Sequence, residues 1–404
     1  MSSDDAAAPG PSTLAVHGGE PQIRAGRSIT EPLVLSSTYP FADTAELHAF
    51  MQRELERPQE YGRYGNPTVA ATEAKLAALE GGGDPSATGI GAVLLASGMA
   101  AVTTTLLAML KAGAHVVFTA DVYRKTRLFA ATYLAKFGVE FDIVAPELAA
   151  IEAAVRPETK IIFTEAPTNP YLRVVDLEGV VALAHSRRIK TIIDATFATP
   201  INMRPLALGV DLVIHSTTKY LGGHNDLLGG VVIGRGPMIE AIREQVGTLG
   251  AVCDPHNAFL LSRGLKTLAL RIERHNQSAL ALAKMLSTHP AVSRVWYPLL
   301  ETHEDYGHAR KLLRGGGGVI SFELAGGLEA GSRLVDALKI PKLAPSLGGV
   351  ESLVEQPALM SFYDQGPEGR AALGIREGLI RYSVGIEDLA DLEADLRAAL
   401  ACAG

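Results

Sequence analysis

The sequence predicts an α/β protein: a large, mostly parallel sheet covered on both faces, followed by a smaller α+β unit. Two observations carry that expectation. Between residues 92 and 233, short and near-continuous apolar runs alternate with helical patterns, as they do when helices cover both faces of a parallel sheet. Beyond residue 290 the order changes, with strands expected at Val292–Tyr297, Gly318–Leu324 and Leu379–Val384 and helices at Leu328–Leu338 and Asp388–Leu400.

The 404 residues suffice for two or three domains. The expected division is an arm over 1–64, an α/β unit over 65–260 and an α+β unit over 261–404. A hydrophobic content of 47% with 20% charged residues fits a well-packed globular chain and excludes wholesale disorder. The net charge of −7 comes without a basic block, which argues against nucleic acid as a partner. Apolar runs are strand length, so no membrane association is expected. Met1–Pro11 lacks a basic-then-apolar targeting pattern. The two cysteines, Cys253 and Cys402, have no metal-ligand or disulfide spacing, so a reducing cytoplasm is the expected location.

In chain order, the first twelve residues read as disordered, being small, polar and proline-containing. Thr13–Glu60 reads as an extended arm with one helical stretch, Thr44–Glu56. Asn66-Pro67 starts a helix, since Asn66 can cap it and Pro67 suits its first turn; Gly81-Gly82-Gly83 stops it. Strands follow at Ala92–Ala96, His115–Thr119, Phe141–Val144, Lys160–Thr164, Thr191–Asp194, Leu212–His215 and Gly230–Ile233. Helices lie between them at Ala100–Leu110, Lys125–Phe137, Leu148–Val155 and Leu177–Arg188. One helix, around Leu260–Leu286, links the two units. Gly315–Gly318 reads as a flexible loop before a strand, because no helix follows to complete a phosphate loop.

Ligands of such sheets sit beyond the carboxyl ends of the strands. Ser97, Tyr123, Asn169, Asp194 and Lys219 each follow an expected strand, directly or within a few residues. Lys219 comes just after a buried strand, where desolvation lowers an amine's pKa and makes it a nucleophile able to form a Schiff base. An isolated lysine there would far more often be a surface residue. Ser97-Gly98-Met99 opens a helix whose amides and dipole suit a phosphate. Asp194 is placed to pair with a protonated pyridine nitrogen, or simply to cap a turn; Tyr123 is placed to stack on the ring, or simply to pack. Phosphate seat, pyridinium partner and Schiff-base lysine together are the parts of a pyridoxal phosphate site. The Gly-x-Gly-x-x-Gly of a dinucleotide site is missing after the first strand.

Tyr61-Gly-Arg63-Tyr-Gly65-Asn66-Pro67, Ala166-Pro-Thr-Asn169-Pro170, Ser216-Thr-Thr-Lys219-Tyr220 and Ser346-Leu-Gly-Gly-Val-Glu-Ser352 resemble the motifs of the Cys/Met-metabolism family of pyridoxal phosphate enzymes. The resemblance runs from about Thr13 to Leu400. Tyr123-Arg-Lys-Thr-Arg127, Thr196-Phe-Ala-Thr-Pro200, Tyr220-Leu-Gly-Gly-His-Asn225, Ile340–Ser346 and Gln356–Ser361 are most similar to the plant-type cystathionine γ-synthase branch.

The resemblance implies fold-type I, a homotetramer built as a dimer of dimers, and pyridoxal 5'-phosphate as cofactor. It implies that Lys219 holds the cofactor and shuttles protons, Asp194 meets the pyridine nitrogen and Tyr123 stacks on the ring. Ser97, Gly98, Met99, Ser216 and Thr218 would hold the phosphate, with Tyr61 and Arg63 supplied by a neighbouring subunit through the arm. Arg381, otherwise read as a surface strand arginine, would clamp the substrate α-carboxylate with Asn169 and Ser346. Lys125 and Arg127 would contact the leaving group of an activated homoserine, because cations at a helix start call for a nearby anion. Ala195 departs from the family pattern of asparagine after the cofactor aspartate, so a supporting hydrogen bond is expected to be lost. The implied activity is γ-replacement on an O-activated L-homoserine, with cysteine giving cystathionine. The alternatives are γ-replacement with another sulfur or carbon nucleophile, a γ-lyase, and a non-catalytic relative that only binds.

Overall fold

A computed structural model describes residues 9–24, 27–55 and 60–403. Its larger sheet comprises β1 (Ile90–Leu95), β2 (His115–Thr119), β3 (Glu140–Val144), β4 (Thr159–Glu165), β5 (Lys190–Asp194), β6 (Leu212–Ser216) and β7 (Gly230–Arg235). The spatial order is β1-β7-β6-β5-β4-β2-β3, and only β7 runs antiparallel to its neighbours. The smaller sheet has the order β10 (Lys342–Leu343), β11 (Leu353–Glu355), β12 (Leu379–Ser383), β9 (Val319–Leu324), β8 (Val292–Trp296).

Burial explains why the strands were readable. Ile193, Val213, Val231 and Ile233 enter one core cluster, while Ile192, Leu212, Ile214 and Val232 enter another on the opposite face. Successive residues point to opposite faces, so both parities are apolar in a doubly covered strand. In the smaller sheet one parity is wholly apolar, with Ile320, Phe322, Ile380 and Tyr382 packing with the helices Gly327–Ala337 and Leu389–Ala403, while the other mixes Val319 and Leu379 with polar residues. The other parity, including Ser321 and Arg381, is thereby freed to face elsewhere. Ser321 Oγ donates to the Pro170 carbonyl at 2.6 Å, which ties that face to the loop after β4.

Several expectations need correction. The disorder expected over the first twelve residues partly concerns residues 1–8, outside the described residues, but a helix already begins at Pro11. That helix, Pro11–His17, packs Leu14 and Ala15 into the chain's own core, so the arm's beginning is not extended. The linking helix is two helices, Pro255–Leu265 and Leu268–Ser287. At the join, the buried Arg271 guanidinium donates to the Gly264 carbonyl at 2.8 Å and to the Tyr220 carbonyl at 2.7 Å. The glycine run before β9 is buried rather than flexible. A Cβ on Gly316 would lie 2.5 Å from the Tyr297 ring, and the Gly318 N–H donates to Tyr220 Oη at 2.8 Å. A helix at Pro237–Leu249 and strands β10 and β11 were not anticipated.

Candidate active site

Loops after β1, β2, β4, β5 and β6 converge on a cavity of about 440 Å³, closed on its far side by Ser346, Glu355 and Arg381 from the smaller sheet and its loops. Ser97, Gly98, Met99, Tyr123, Asn169, Asp194, Ser216, Thr218 and Lys219 all line it, with Glu165, Thr196, Phe197 and Ser361.

At the end of β1, Ser97 caps the helix Gly98–Met109, its Oγ accepting from the Ala100 N–H at 3.0 Å. The first N–H groups of a helix, here those of Gly98 and Met99, have no carbonyl partner within it and attract an anion. A Cβ at residue 98 would stand 2.9 Å from Ser216 Cβ, so glycine is needed for helix and strand end to meet. Thr218 Oγ1 accepts from the Gly229 N–H at 3.1 Å, which fixes the turn before Lys219.

Asp194 ends β5. Both of its hydrogen bonds fall on Oδ1, from the Thr196 N–H at 3.0 Å and Thr196 Oγ1 at 2.6 Å. Among the described residues no donor reaches Oδ2. Burial raises the Asp194 pKa, opposed by Thr196 and by His215. A carboxylate in the cavity wall with one oxygen free of hydrogen bonds among the described residues fits a ring N–H⁺. Ala195 lies in the core, and the hydrogen bonds that hold Asp194 come from Thr196 instead.

Lys219 Nζ donates to Ser346 Oγ at 2.6 Å. Burial, then the Arg381 guanidinium, lowers its pKa from 10.5 to about 8, against the opposing pull of the Glu355 carboxylate. Ser346 has φ of +90°, a conformation non-glycine residues rarely adopt and one that clusters at functional sites. That turn also aims its carbonyl at Arg381 Nη2, 2.8 Å away. Arg381 Nη1 donates to Asn169 Oδ1 at 3.2 Å and pairs with Glu355 Oε1 at 3.0 Å.

Two acids escaped the sequence reading. Glu165, at the end of β4, accepts from the Tyr123 N–H at 2.8 Å and so fixes the start of the Tyr123 turn. Burial and then the Asp194 carboxylate push its pKa well above the usual range. Its signal was an acid at a strand end, in β-sheet register with Asp194. Glu355 interrupts the apolar Leu353-Val354, and only its pairing with β12 gives it meaning.

Other expected residues stay outside this cavity. Lys125 is exposed and does not line it. Arg127 lines a neighbouring cavity, which shares the Asn169 wall, and the anion beside Arg124 is the protein's own Asp364 at 2.7 Å. Asp364 thus supplies an anion beside that helix start, and Lys125 and Arg127 lie outside the lining of this cavity. Tyr61 and Arg63 also lie outside the lining of the single chain, with Arg63 Nη1 donating to the Gly247 carbonyl at 3.0 Å.

The donor set fits pyridoxal phosphate: amides at a helix start for the phosphate, an open carboxylate oxygen for the ring nitrogen and a desolvated lysine for the aldehyde. Comparison with known proteins agrees. Residues 12–401 match the model of the Cys/Met metabolism PLP-dependent enzyme family. Cystathionine gamma-synthase 1, chloroplastic, of Arabidopsis thaliana is 46% identical over 395 residues, covering 96% of this chain and 68% of that protein. L-methionine gamma-lyase of Pseudomonas putida is 41% identical over 396 residues, covering 97% of each. The crystal structure of metB from Corynebacterium glutamicum superposes with a TM-score of 0.89 at 38% identity, over 97% of this chain and 98% of that one. Nearly the whole chain is thus matched in sequence and in fold, and it belongs to the Cys/Met-metabolism family of pyridoxal phosphate-dependent enzymes.

Proposed function

We propose that the protein catalyses γ-replacement on an O-activated L-homoserine, with L-cysteine as nucleophile and cystathionine as product. The observation that carries this reading is the bridge at Ser346, which joins Lys219 to Arg381 inside one cavity. A proton-transfer amine and a carboxylate clamp held by one residue suit an α-amino acid whose Cα lies under the amine.

Arg381 accepts the α-carboxylate, with Asn169 and the Ser346 carbonyl fixing the guanidinium plane. When bound, the cofactor supplies the electron sink for the carbon acid. Lys219 Nζ takes the proton from Cα, hands it on to the bound substrate–cofactor conjugate, which would hold it, and, neutral again, takes one from Cβ; its lowered pKa leaves part of the amine neutral near pH 8. The γ-substituent departs with its bonding electrons. The cysteine thiolate forms the new C–S bond at Cγ, and Lys219 returns protons to Cβ and Cα. Tyr123 covers the site from the β2 side, its backbone held by Glu165.

The similarity to cystathionine gamma-synthases supports replacement, and the similarity to methionine gamma-lyases supports a second reading in which water ends the reaction. The assembly is proposed as a homotetramer with sites shared between subunits. Exposed Ile29, Leu35 and Met51 on the arm give it an apolar face for a second copy, and Tyr61 and Arg63 follow in the same segment. Among the described residues no group of acids, cysteines and histidines could hold a metal, and no helix is long and apolar enough to cross a membrane.

The test is a product assay with O-phospho-, O-succinyl- and O-acetyl-L-homoserine, each with and without L-cysteine, read by mass spectrometry. Cystathionine formed only with cysteine supports the proposal and names the leaving group. 2-Oxobutyrate formed at the same rate with or without cysteine overturns it in favour of the lyase.

A further inference from the structure

Arg381 and Glu355 are direct cross-strand partners on β12 and β11, and the same face of β12 meets the cavity. Both are buried, at 5% and 2% exposure. The planar guanidinium has five N–H donors. Nη1 donates to Asn169 Oδ1 and forms an ion pair with Glu355 Oε1 at 3.0 Å, and Nη2 donates to the Ser346 carbonyl. Among the described residues Nε, itself buried, has no partner. Nε and Nη2 form one edge of the group, of the kind a carboxylate grips bidentately.

Glu355 is itself held. Its Oε1 accepts from Ser361 Oγ at 3.0 Å, while Oε2 is buried without a partner among the described residues. A buried carboxylate therefore already neutralises the arginine that is to receive a carboxylate. If the site needed only maximal affinity, an uncharged acceptor such as glutamine would brace Nη1 equally well and leave the full positive charge for the ligand.

We propose that Glu355 is a positioning residue that both aims the free edge of Arg381 into the cavity and limits the affinity of that edge for α-carboxylates. The inference rests on the reading of Arg381 as the carboxylate clamp. An incoming amino acid places a second anion on a guanidinium whose charge is already shared, and like charges at close range oppose each other. The site is thereby built for exchange of amino acids rather than for retention of product.

The experiment uses L-alanine, which carries an α-carboxylate and amine but no γ-leaving group, titrated into the holoenzyme and followed by cofactor absorbance. In E355Q the Kd for alanine is expected to fall about tenfold, the change that corresponds to one pKa unit of charge interaction. An unchanged or higher Kd overturns the inference. If E355Q does not fold, E355D serves: withdrawing the carboxylate by one methylene weakens the pair, so alanine should bind more tightly than to wild type, and equal or weaker binding overturns the inference.

A second readout needs no turnover. Cofactor uptake by the cofactor-free protein requires neutral Lys219, whose facing groups in the cavity include Arg381, Glu355, Glu165, Asp194 and Tyr123. Glu355 favours the ammonium form, so in E355Q the half-maximal uptake rate should move to lower pH; a brace without electrostatic effect leaves it unmoved and overturns the charge argument. R381K separates the underlying reading from the inference. It keeps the charge but loses the fork, so alanine binding should weaken tenfold or more, by about the loss expected for a bidentate pair. Wild-type affinity in R381K would instead discard Arg381 as the clamp, whatever Glu355 does.

Discussion

Lys219 Nζ lies 2.6 Å from Ser346 Oγ, and this contact crosses from the end of β6 to the loop before β11. The amine is therefore positioned by a loop of the smaller sheet as well as by its own strand. Among the described residues no carboxylate forms an ion pair with the amine, and the nearby guanidinium of Arg381 disfavours its charge further.

The first prediction follows from that environment. In the cofactor-free protein the folded-state pKa of Lys219 is about 8 against 10.5 for an ordinary lysine. Between those two values the unfolded chain holds a proton that the folded chain has lost, so stability rises with pH across that window. Below about pH 8 the full cost is present. K219M removes it, and at pH 7 the variant should be more stable than wild type by up to about 3 kcal/mol. The advantage should shrink steadily between pH 8 and 10.5. Urea denaturation of both cofactor-free proteins across that range checks it; a constant difference would mean that Lys219 is not desolvated as described.

The second prediction concerns Thr196. Its Oγ1 donates to Asp194 Oδ1 at 2.6 Å and accepts from the Ser216 N–H at 2.8 Å, so one hydroxyl joins the proposed ring partner to the proposed phosphate seat. T196V removes both bonds at nearly constant volume. Losing a hydrogen bond to a charged group costs about 1.5–3 kcal/mol, so the Kd for pyridoxal phosphate should rise by about tenfold or more. T196S keeps the hydroxyl and should restore affinity. Fluorescence titration of the cofactor-free proteins checks both; a T196S variant as weak as T196V would show that the methyl group, not the hydroxyl, matters.

How much of this was legible in the sequence depends on the range of the interaction. The parallel strands were legible because both faces of each are covered, which leaves runs such as Ile192-Ile193 and Leu212-Val213-Ile214 with no polar interruption. Asp194 and Lys219 were legible because a charged residue directly after such a run has little choice but to face the site. Glu355 was not, since its meaning comes from β-register with Arg381, set by pairing between segments far apart in sequence. The break after Leu265 was equally hidden, since the contact at its join comes from Arg271 of the next helix, which reaches back to the Gly264 carbonyl. The helix Pro237–Leu249 did carry a local signal: Ile239, Ile242 and Val246 at helical spacing after Pro237, all buried.

The last prediction tests the phosphate seat through a residue with no side chain. Gly98 is the first residue of its helix, and a Cβ there would lie 2.9 Å from Ser216 Cβ and 3.1 Å from Ser216 Oγ. Contacts that short force either the helix start or the end of β6 to retreat, and both carry groups proposed to hold the phosphate. G98A should therefore raise the Kd for pyridoxal phosphate by about tenfold, since oriented amides act on an anion only at hydrogen-bond distance. The matching control is G83A, where an added Cβ meets nothing within 4 Å and no positive φ is required. It should leave cofactor affinity unchanged. Measuring free phosphate or pyridoxal as competing ligands then locates the defect: in G98A the affinity for phosphate should fall while that for pyridoxal, which lacks the phosphoryl group, holds. Equal losses for both would place the damage at Lys219 or Asp194 instead.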